Sequence, residues 1–218
     1  MTVGIRILVV DDHALVRGAL SERLRTEPRF SAVESASDAD EAVEKVIECR
    51  PNIVLLDIDM PGLSSFEAAK TISQISPETN VIFLSAFLHD GYVQQAFAAG
   101  ARGYLTKQEP PENVVAAIIK VAGGGSYFSK EVRDRISIDS QGAVLTSKSR
   151  SRAATLTARE LDVLRYIAQG MAKKEIAQTM SLSVKTIDRH SSNLMSKLDI
   201  HDRVKLTLFA VREGLSKA

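Results

Sequence analysis

Ile53-Val54-Leu55-Leu56-Asp57-Ile58-Asp59-Met60-Pro61-Gly62 is the stretch whose reading decides the fold. Its four apolar residues in a row, rich in Ile, Val and Leu, read as a strand buried on both faces. The strand runs straight into a carboxylate, and Met60-Pro61-Gly62 then turns the chain. In an open α/β sheet the carboxyl ends of the strands are where ligands bind. Asp57 is therefore either a site residue or a surface acid that closes a strand before a turn. The rest of the chain decides between them.

Upstream, Ile5–Val10 repeats the design and ends in Asp11-Asp12. Leu15, Val16, Ala19, Leu20 and Leu24 then fall at helical spacing, with Pro28 at the exit. Residues 30–35 are strand-like. Asp38 is placed to cap a helix that carries Ala42, Val43, Val46 and Ile47 inward. Downstream of Asp57, Ser64 or Ser65 caps a helix with Phe66, Ala69, Ile72 and Ile75 inward. Residues 80–85 form a strand that ends in Ser85. Asp90 caps a helix through Ala99, stopped by Gly100. Residues 101–107 form a strand that ends in Lys107. Pro110 and Pro111 open a helix with Val114, Val115, Ala117, Ile118 and Val121 apolar, closed by Gly123-Gly124-Gly125. Five β-then-α units in a row imply a parallel sheet with helices on both faces, and the expected form is a flavodoxin-like, doubly wound, five-stranded sheet, for which 2-1-3-4-5 is one common order.

The whole chain has 218 residues and a net charge of +1, which hides an asymmetry. Residues 1–125 hold 11 Lys and Arg against 17 Asp and Glu, a net of −6; residues 126–218 hold 17 against 10, a net of +7. An acidic half followed by a basic one suggests a regulatory or catalytic module joined to one that meets a polyanion. The single cysteine, Cys49, excludes an internal disulfide, and no Cys/His cluster has zinc-ligand spacing. No apolar run approaches the ~20 residues of a membrane span, and no signal-peptide pattern opens the chain. A soluble, cytoplasmic protein is expected.

In the order 2-1-3-4-5 the strand ends bring Asp11, Asp12, Asp57, Ser85 and Lys107 side by side. Three converging carboxylates repel one another unless a cation joins them. All-oxygen ligands suit Mg²⁺, which binds through one or two carboxylates plus a phosphate. Lys107 and Ser85 are placed to hold the remaining phosphate oxygens. The constellation asks for phosphoryl transfer to a carboxylate nucleophile.

Asp11-Asp12, Asp57 with Met60-Pro61-Gly62, Ser85-Ala86 and Lys107 resemble the receiver domain of bacterial two-component response regulators. The resemblance covers residues 5–123. It implies that Asp57 accepts a phosphoryl group from a sensor histidine kinase. Asp12 and Asp57 would bind Mg²⁺, with Asp11 nearby and the backbone carbonyl of Asp59 as a further ligand. Ser85 and Lys107 would grip the phosphoryl oxygens, and Tyr104 would be an aromatic switch that moves with Ser85.

From Ser126 the apolar periodicity fades, and residues 126–154, with the cations Lys148, Arg150 and Arg152 alternating with small residues, read as an exposed linker with a little helix around Lys130–Ile136. Order returns at Thr157 and Glu160, which form a capping box. The helix that follows carries Leu161, Leu164, Ile167 and Ala168 inward and stops at Gly170. A short helix holds Ile176 and Ala177. Ser183 caps the next, with Val184, Ile187, Ser191, Leu194 and Leu198 as the buried stripe. Asp202 opens a fourth helix, which Gly214 closes. Residues 155–218 are thus a small all-α four-helix domain built on a helix-turn-helix, the geometry that seats a helix in the major groove. The basic balance favours double-stranded DNA as partner.

Leu156-Thr157-x-Arg159-Glu160, Lys174-Glu175-Ile176-Ala177 and Ser183-Val184-Lys185-Thr186-Ile187-x-x-His190, then Asn193 and Lys197-Leu198, resemble the LuxR-type helix-turn-helix of NarL/FixJ regulators. The resemblance places Asp188, Arg189 and Ser192 at base edges. It places Lys174, Lys185, Thr186, His190, Asn193 and Lys197 at the DNA backbone. Val204, Leu208 and Val211 would lie near a homodimer contact. The expected protein is a transcription regulator rather than an enzyme: a receiver over residues 1–125, a linker over 126–154 and a DNA-binding domain over 155–218. Two rivals are a receiver that works without phosphorylation and a phosphatase with Asp57 and Asp59 as a DxD pair. The second leaves Asp11, Asp12 and the basic half unused.

Overall fold

The computed structural model describes residues 4–86, 88–134, 136–139, 142–145 and 152–215. The chain divides into two compact units, residues 1–86 with 96–133 and residues 87–95 with 134–218.

In the first unit β1 (Ile5–Val10), β2 (Phe30–Ala36), β3 (Ile53–Asp57), β4 (Asn80–Ser85), β5 (Gly103–Thr106) and β6 (Tyr127–Phe128) form one sheet in the order β2-β1-β3-β4-β5-β6. Every neighbouring pair in it is parallel. The expected order of the first five strands holds, and a sixth short strand extends the edge. Side chains alternate between faces along a strand. Ile7, Val9, Ile53, Leu55, Ile82 and Leu84 pack with Leu24 of α1 (Ala14–Arg25) and with Val114, Ile118 and Val121 of α5 (Pro111–Ala122). Leu8, Val10, Leu56 and Phe83 are equally buried. The Phe83 ring lies 5.1 Å from that of Phe66 in α3 (Ser65–Ile75), which packs beside α2 (Ala39–Cys49). Cover on both faces is why the central strands are apolar throughout residues 7–10, 53–56 and 81–84.

Several expected helix faces are narrower than their spacing suggests. Leu15 is 86% exposed, and Val16, Ile47 and Ile75 are exposed as well. Each lies near a helix end or on the flank of its apolar stripe, beyond the sheet that the stripe covers. The Asp38 carboxylate caps α2 by accepting from the Glu41 N–H at 2.8 Å. Two other caps differ from expectation. Ser64 holds the cap position of α3 without a side-chain bond, whereas the Ser65 hydroxyl, already in the helix, donates to the Ile58 carbonyl at 3.3 Å. Asp90 is the first residue of α4 (Asp90–Ala98), and the His89 ring caps it, Nδ1 accepting from the Gly91 N–H at 3.0 Å.

The expected linker contains regular structure. After β6 come α6 (Lys130–Arg133) and an antiparallel hairpin of β7 (Ile136–Asp139) and β8 (Gly142–Leu145). β6 escapes periodicity because it has only two residues. It pairs Tyr127 with Gly103, where any Cβ would come within 3.0 Å of the Tyr127 carbonyl oxygen. Lys148 and Arg150 lie outside the described residues. Arg152, read as a linker cation, begins a 3-10 turn over Arg152–Thr155 and donates to the Leu198 carbonyl at 2.8 Å. Its guanidinium also sits 5.7 Å from the Phe209 ring centre. It thus caps a helix end, where cations are favoured.

The four expected helices of the second unit are α7 (Ala158–Ala168), α8 (Lys173–Thr179), α9 (Val184–Leu198) and α10 (Arg203–Arg212). The capping box forms in full: the Thr157 N–H donates to Glu160 at 2.8 Å and the Glu160 N–H donates to the Thr157 hydroxyl at 3.3 Å. Ser183 caps α9 and Asp202 caps α10. Ile187, Ser191, Leu194 and Leu198 are buried as expected, but Val184 is 42% exposed because it opens the helix beyond the packed stripe. No helix among the described residues is long and apolar enough to cross a membrane.

Asp199 ends α9 in the left-handed region, φ 52° and ψ 44°. That conformation suits glycine and costs a side chain about 1 kcal/mol. Asp199→Gly is therefore expected to stabilise the helical unit by about 0.5–1 kcal/mol, read as a raised urea midpoint; an unchanged or lowered midpoint contradicts it.

Candidate functional site

Strand register assembles the site. Val10 pairs with Leu56, so Asp11 stands level with Asp57 one step further along. Asp57 pairs with Leu84, and Ser85 pairs with Thr106, so Ser85 and Lys107 each follow by one residue. The Lys107 N–H donates to the Ser85 carbonyl at 2.7 Å, which extends the β4–β5 ladder to the cation. Four polar positions on four parallel strands thus meet at one end of the sheet.

Asp57 and Ser85 are fully buried, and Asp11 is 1% exposed. Lys107 Nζ bridges two carboxylates, 2.7 Å from Asp57 Oδ2 and 2.8 Å from Asp11 Oδ2. Asp57 Oδ1 accepts from the Asp59 N–H at 3.3 Å. Ligand atoms of Asp11, Asp12, Asp57 and His13 lie within 4.8 Å of one another. Tyr104, on β5 beside Phe83, is fully buried. Gly62 supplies the positive φ of 86° in the turn after Asp57.

The site is over-supplied with negative charge. Burial pushes the Asp57 carboxyl up to about 6, against the pull of Lys107 and with help from Asp11 and Asp12. One ammonium does not offset the loss of water and the repulsion of two neighbours. Burial works to lower the Lys107 ammonium, but Asp57 and Asp11 outweigh it and hold it above the ordinary lysine value. The carboxylate oxygens of Asp11, Asp12 and Asp57, the first and last of them buried, carry excess negative charge and fit a hard divalent cation such as Mg²⁺.

Sequence reasoning missed His13. Its N–H donates to Asp11 Oδ1 at 2.8 Å, and its Nδ1 lies 2.7 Å from Asp12 Oδ1. Arg17, one turn into α1, donates to the Asp11 carbonyl. Both hold the strand-end acids in place. Their only signal was position, directly after Asp11-Asp12.

The second candidate site is the outer face of α9. Lys174, Lys185, Arg189, Ser192 and Asn193 are exposed there and on α8. Thr186 is half-buried, its hydroxyl 2.9 Å from that of Ser183, and His190 is half-buried. Two expected DNA contacts are engaged within the fold. Lys197 Nζ lies 2.6 Å from Glu160 Oε2, a carboxylate only 3% exposed. Asp188 Oδ1 lies 2.6 Å from Lys173 Nζ. Burial alone would raise the Glu160 carboxyl, but Lys197 and the Thr157 N–H hold it below the usual range.

Residues 7–119 match the model of the response regulator receiver domain, and residues 154–210 match that of the bacterial regulatory proteins of the luxR family. The oxygen regulatory protein NreC of Staphylococcus epidermidis is 32% identical over 214 residues, 96% of this chain and 98% of its own. The response regulator UvrY of Escherichia coli is 33% identical over 217 residues, 98% of this chain and 97% of its own. Among solved structures, a LuxR-family two-component response regulator from Aurantimonas is 31% identical, with a TM-score of 0.58 over 61% of this chain and 94% of that one. RcsB of Salmonella enterica, bound to the P1flhDC promoter with BeF3-, shares the fold at 19% identity. Its TM-score is 0.72 over 99% of this chain and all of that one.

The raised Asp57 pKa sets a pH dependence. Between the ordinary carboxyl value of 3.8 and about 6 the folded state binds more protons than the unfolded one, so stability falls as pH rises through that window. At one unit per 1.36 kcal/mol, the ionised acid costs the metal-free fold about 2–3 kcal/mol at neutral pH. In chelator, Asp57→Asn is expected to stabilise the protein by about 1–3 kcal/mol at pH 7.5, with the gain vanishing toward pH 4. Denaturant melts at both pH values measure it; a destabilised Asp57→Asn at pH 7.5 contradicts it.

Proposed function

The chain belongs to the response regulators that join a receiver domain to a LuxR-type DNA-binding domain, and from that membership we propose a phosphorylation-controlled, promoter-binding transcription regulator. The observation that carries the proposal is the buried Asp57 carboxylate, held between Lys107, Asp11 and the Asp59 N–H at the end of the sheet.

One Asp57 oxygen attacks the phosphorus of a phosphohistidine on a sensor histidine kinase. The P–N bond breaks, its electron pair stays with the imidazole, and an acyl phosphate remains on Asp57. Asp11, Asp12 and Asp57, with the Asp59 carbonyl, would hold Mg²⁺, which would supply positive charge against the phosphoryl oxygens. Lys107 exchanges its contact with Asp57 for a phosphoryl oxygen, and the Ser85 hydroxyl donates to another. Burial keeps water from Asp57, and among the described residues its two oxygens are met only by the Lys107 ammonium and the Asp59 N–H, which favours a product held by a cation. Ser85 moves toward the phosphoryl group, and buried Tyr104 repacks with it. The receiver thus has two states, which phosphorylation biases. A bias of about 1–3 kcal/mol suffices for a graded response.

The basic second unit reads the promoter. Arg189, exposed on α9, is placed for a guanine edge, and Ser192 for a neighbouring base. Lys174, Lys185, Thr186, His190 and Asn193 meet the backbone. Lys197 meets it only by sharing its charge with Glu160. The RcsB complex supports this reading by its promoter-bound form. A single helix-turn-helix offers a small interface, so paired half-sites and a homodimer follow. Val204 and Leu208, 67% and 51% exposed on α10, support that contact. The phosphatase reading loses its support with the family, and the buried Asp57 cluster weighs against a receiver that never carries phosphate.

Acetyl phosphate with Mg²⁺ is expected to add one phosphoryl mass to the wild type and none to Asp57→Asn. Equal modification of both proteins overturns the assignment. On DNA, Arg189→Ala is expected to remove sequence preference, with a loss of about 1–3 kcal/mol on the preferred duplex alone. Lys174→Ala weakens all duplexes alike and lowers the salt slope by about one. Fluorescence anisotropy at two salt concentrations separates them, and equal loss for Arg189→Ala on preferred and random duplex contradicts its role.

A further inference from the structure

Asp188 is an acid on a helix face that meets a polyanion, where an uncompensated carboxylate is repelled by phosphate. The structure gives it a partner. Lys173, the first residue of α8, sets its ammonium 2.6 Å from Asp188 Oδ1, a side-chain bridge between the two helices of the motif. The two side chains are 53% and 49% exposed, so the pair lies at the surface. Lys173 and Lys174 stand together in the first turn of α8. The helix dipole disfavours cations there, and Asp188 offsets part of that cost.

The pairing also changes what Asp188 can recognise. A carboxylate has two oxygens and about four acceptor positions, so engaging Oδ1 leaves capacity to accept from a base while Lys173 neutralises the charge toward the phosphates. The major groove offers two kinds of amino donor, cytosine N4 and adenine N6. Adenine sets N6 beside the N7 acceptor of the same base, which repels an acceptor-only group; cytosine carries no acceptor on its own major-groove edge, where N4 adjoins only the O6 of the paired guanine that already accepts from it. The chemistry therefore selects cytosine.

Resting on the reading of α9 as the helix in the groove, we propose that Asp188 selects a cytosine at one position of each half-site. Lys173 is the positioning residue that holds the carboxylate and makes an acid tolerable there. Arg189 and Asp188, adjacent on α9, then read opposite polarities: a donor fork for guanine and an acceptor for cytosine.

The test uses the full chain, treated with acetyl phosphate and Mg²⁺, and a duplex pool randomised over about two helical turns. Selection and sequencing compare wild type, Asp188→Ala, Lys173→Met and the double variant. The wild type is expected to enrich a cytosine at a fixed place in each half-site. Asp188→Ala loses that preference by roughly 5- to 10-fold and keeps the rest of the consensus. Lys173→Met weakens the same cytosine preference several-fold and adds nothing further in the Asp188→Ala background, the signature of a coupled pair. A merely structural bridge gives a different result: both variants melt lower and lose affinity on all duplexes equally, with the cytosine preference intact. That result overturns the proposal, as does Asp188→Ala binding every duplex more tightly without a change of consensus. A wild type that enriches no sequence at all overturns the DNA reading itself, a failure distinct from loss of the Asp188 position within an intact consensus.

Discussion

The Lys107 ammonium spans Asp11 and Asp57 at the carboxyl end of the sheet, and the surrounding strands are arranged to keep those groups in reach of one another. Parallel pairing in register brings the end of each strand to one level, so a polar residue one step beyond each apolar run arrives at the same place. Helices on both faces bury that place. Burial makes each carboxylate expensive, and proximity makes three of them more so. The single ammonium relieves part of the repulsion. The remaining excess is a standing demand for positive charge, and the proposed phosphoryl transfer rests on that demand and on the buried carboxylate oxygen beside it.

A comparable economy governs the helical unit. Glu160 is buried, yet it accepts from the Thr157 N–H and from Lys197, so one carboxylate joins the start of α7 to the last turn of α9. Breaking such a pair strands a buried charge and costs several kcal/mol. The outer face of α9 is thereby presented on a fixed scaffold. Arg152 adds a second tie at the end of the same helix through the Leu198 carbonyl.

The sheet order and the site acids were legible because both depend on pattern. Apolar runs that end in Asp, Ser or Lys mark buried parallel strands and the ends that meet at one place, and the alternation with helices restricts the topology. What stayed hidden depends on contacts rather than period. β6 is a two-residue strand defined by its partner Gly103. Arg152 looked like a solvated linker charge because its acceptor lies 46 residues away. Leu15 and Ile47 kept helical spacing but overhang the surface their helices cover. His13 carries no signal beyond adjacency to the acids, and the partners of Lys197 and Asp188 sit on other helices, so a residue-by-residue comparison with relatives does not disclose them.

The central claim is that the carboxylate cluster of one unit controls the DNA affinity of the other. It is tested most directly by titrating one selected duplex with the full chain before and after acetyl phosphate with Mg²⁺, in parallel with Asp57→Asn. The account predicts that affinity changes about 5- to 150-fold on phosphorylation of the wild type, the span of a 1–3 kcal/mol coupling, and that Asp57→Asn does not respond. Identical affinity for the phosphorylated and unphosphorylated wild type, measured with full modification verified by mass, would contradict it.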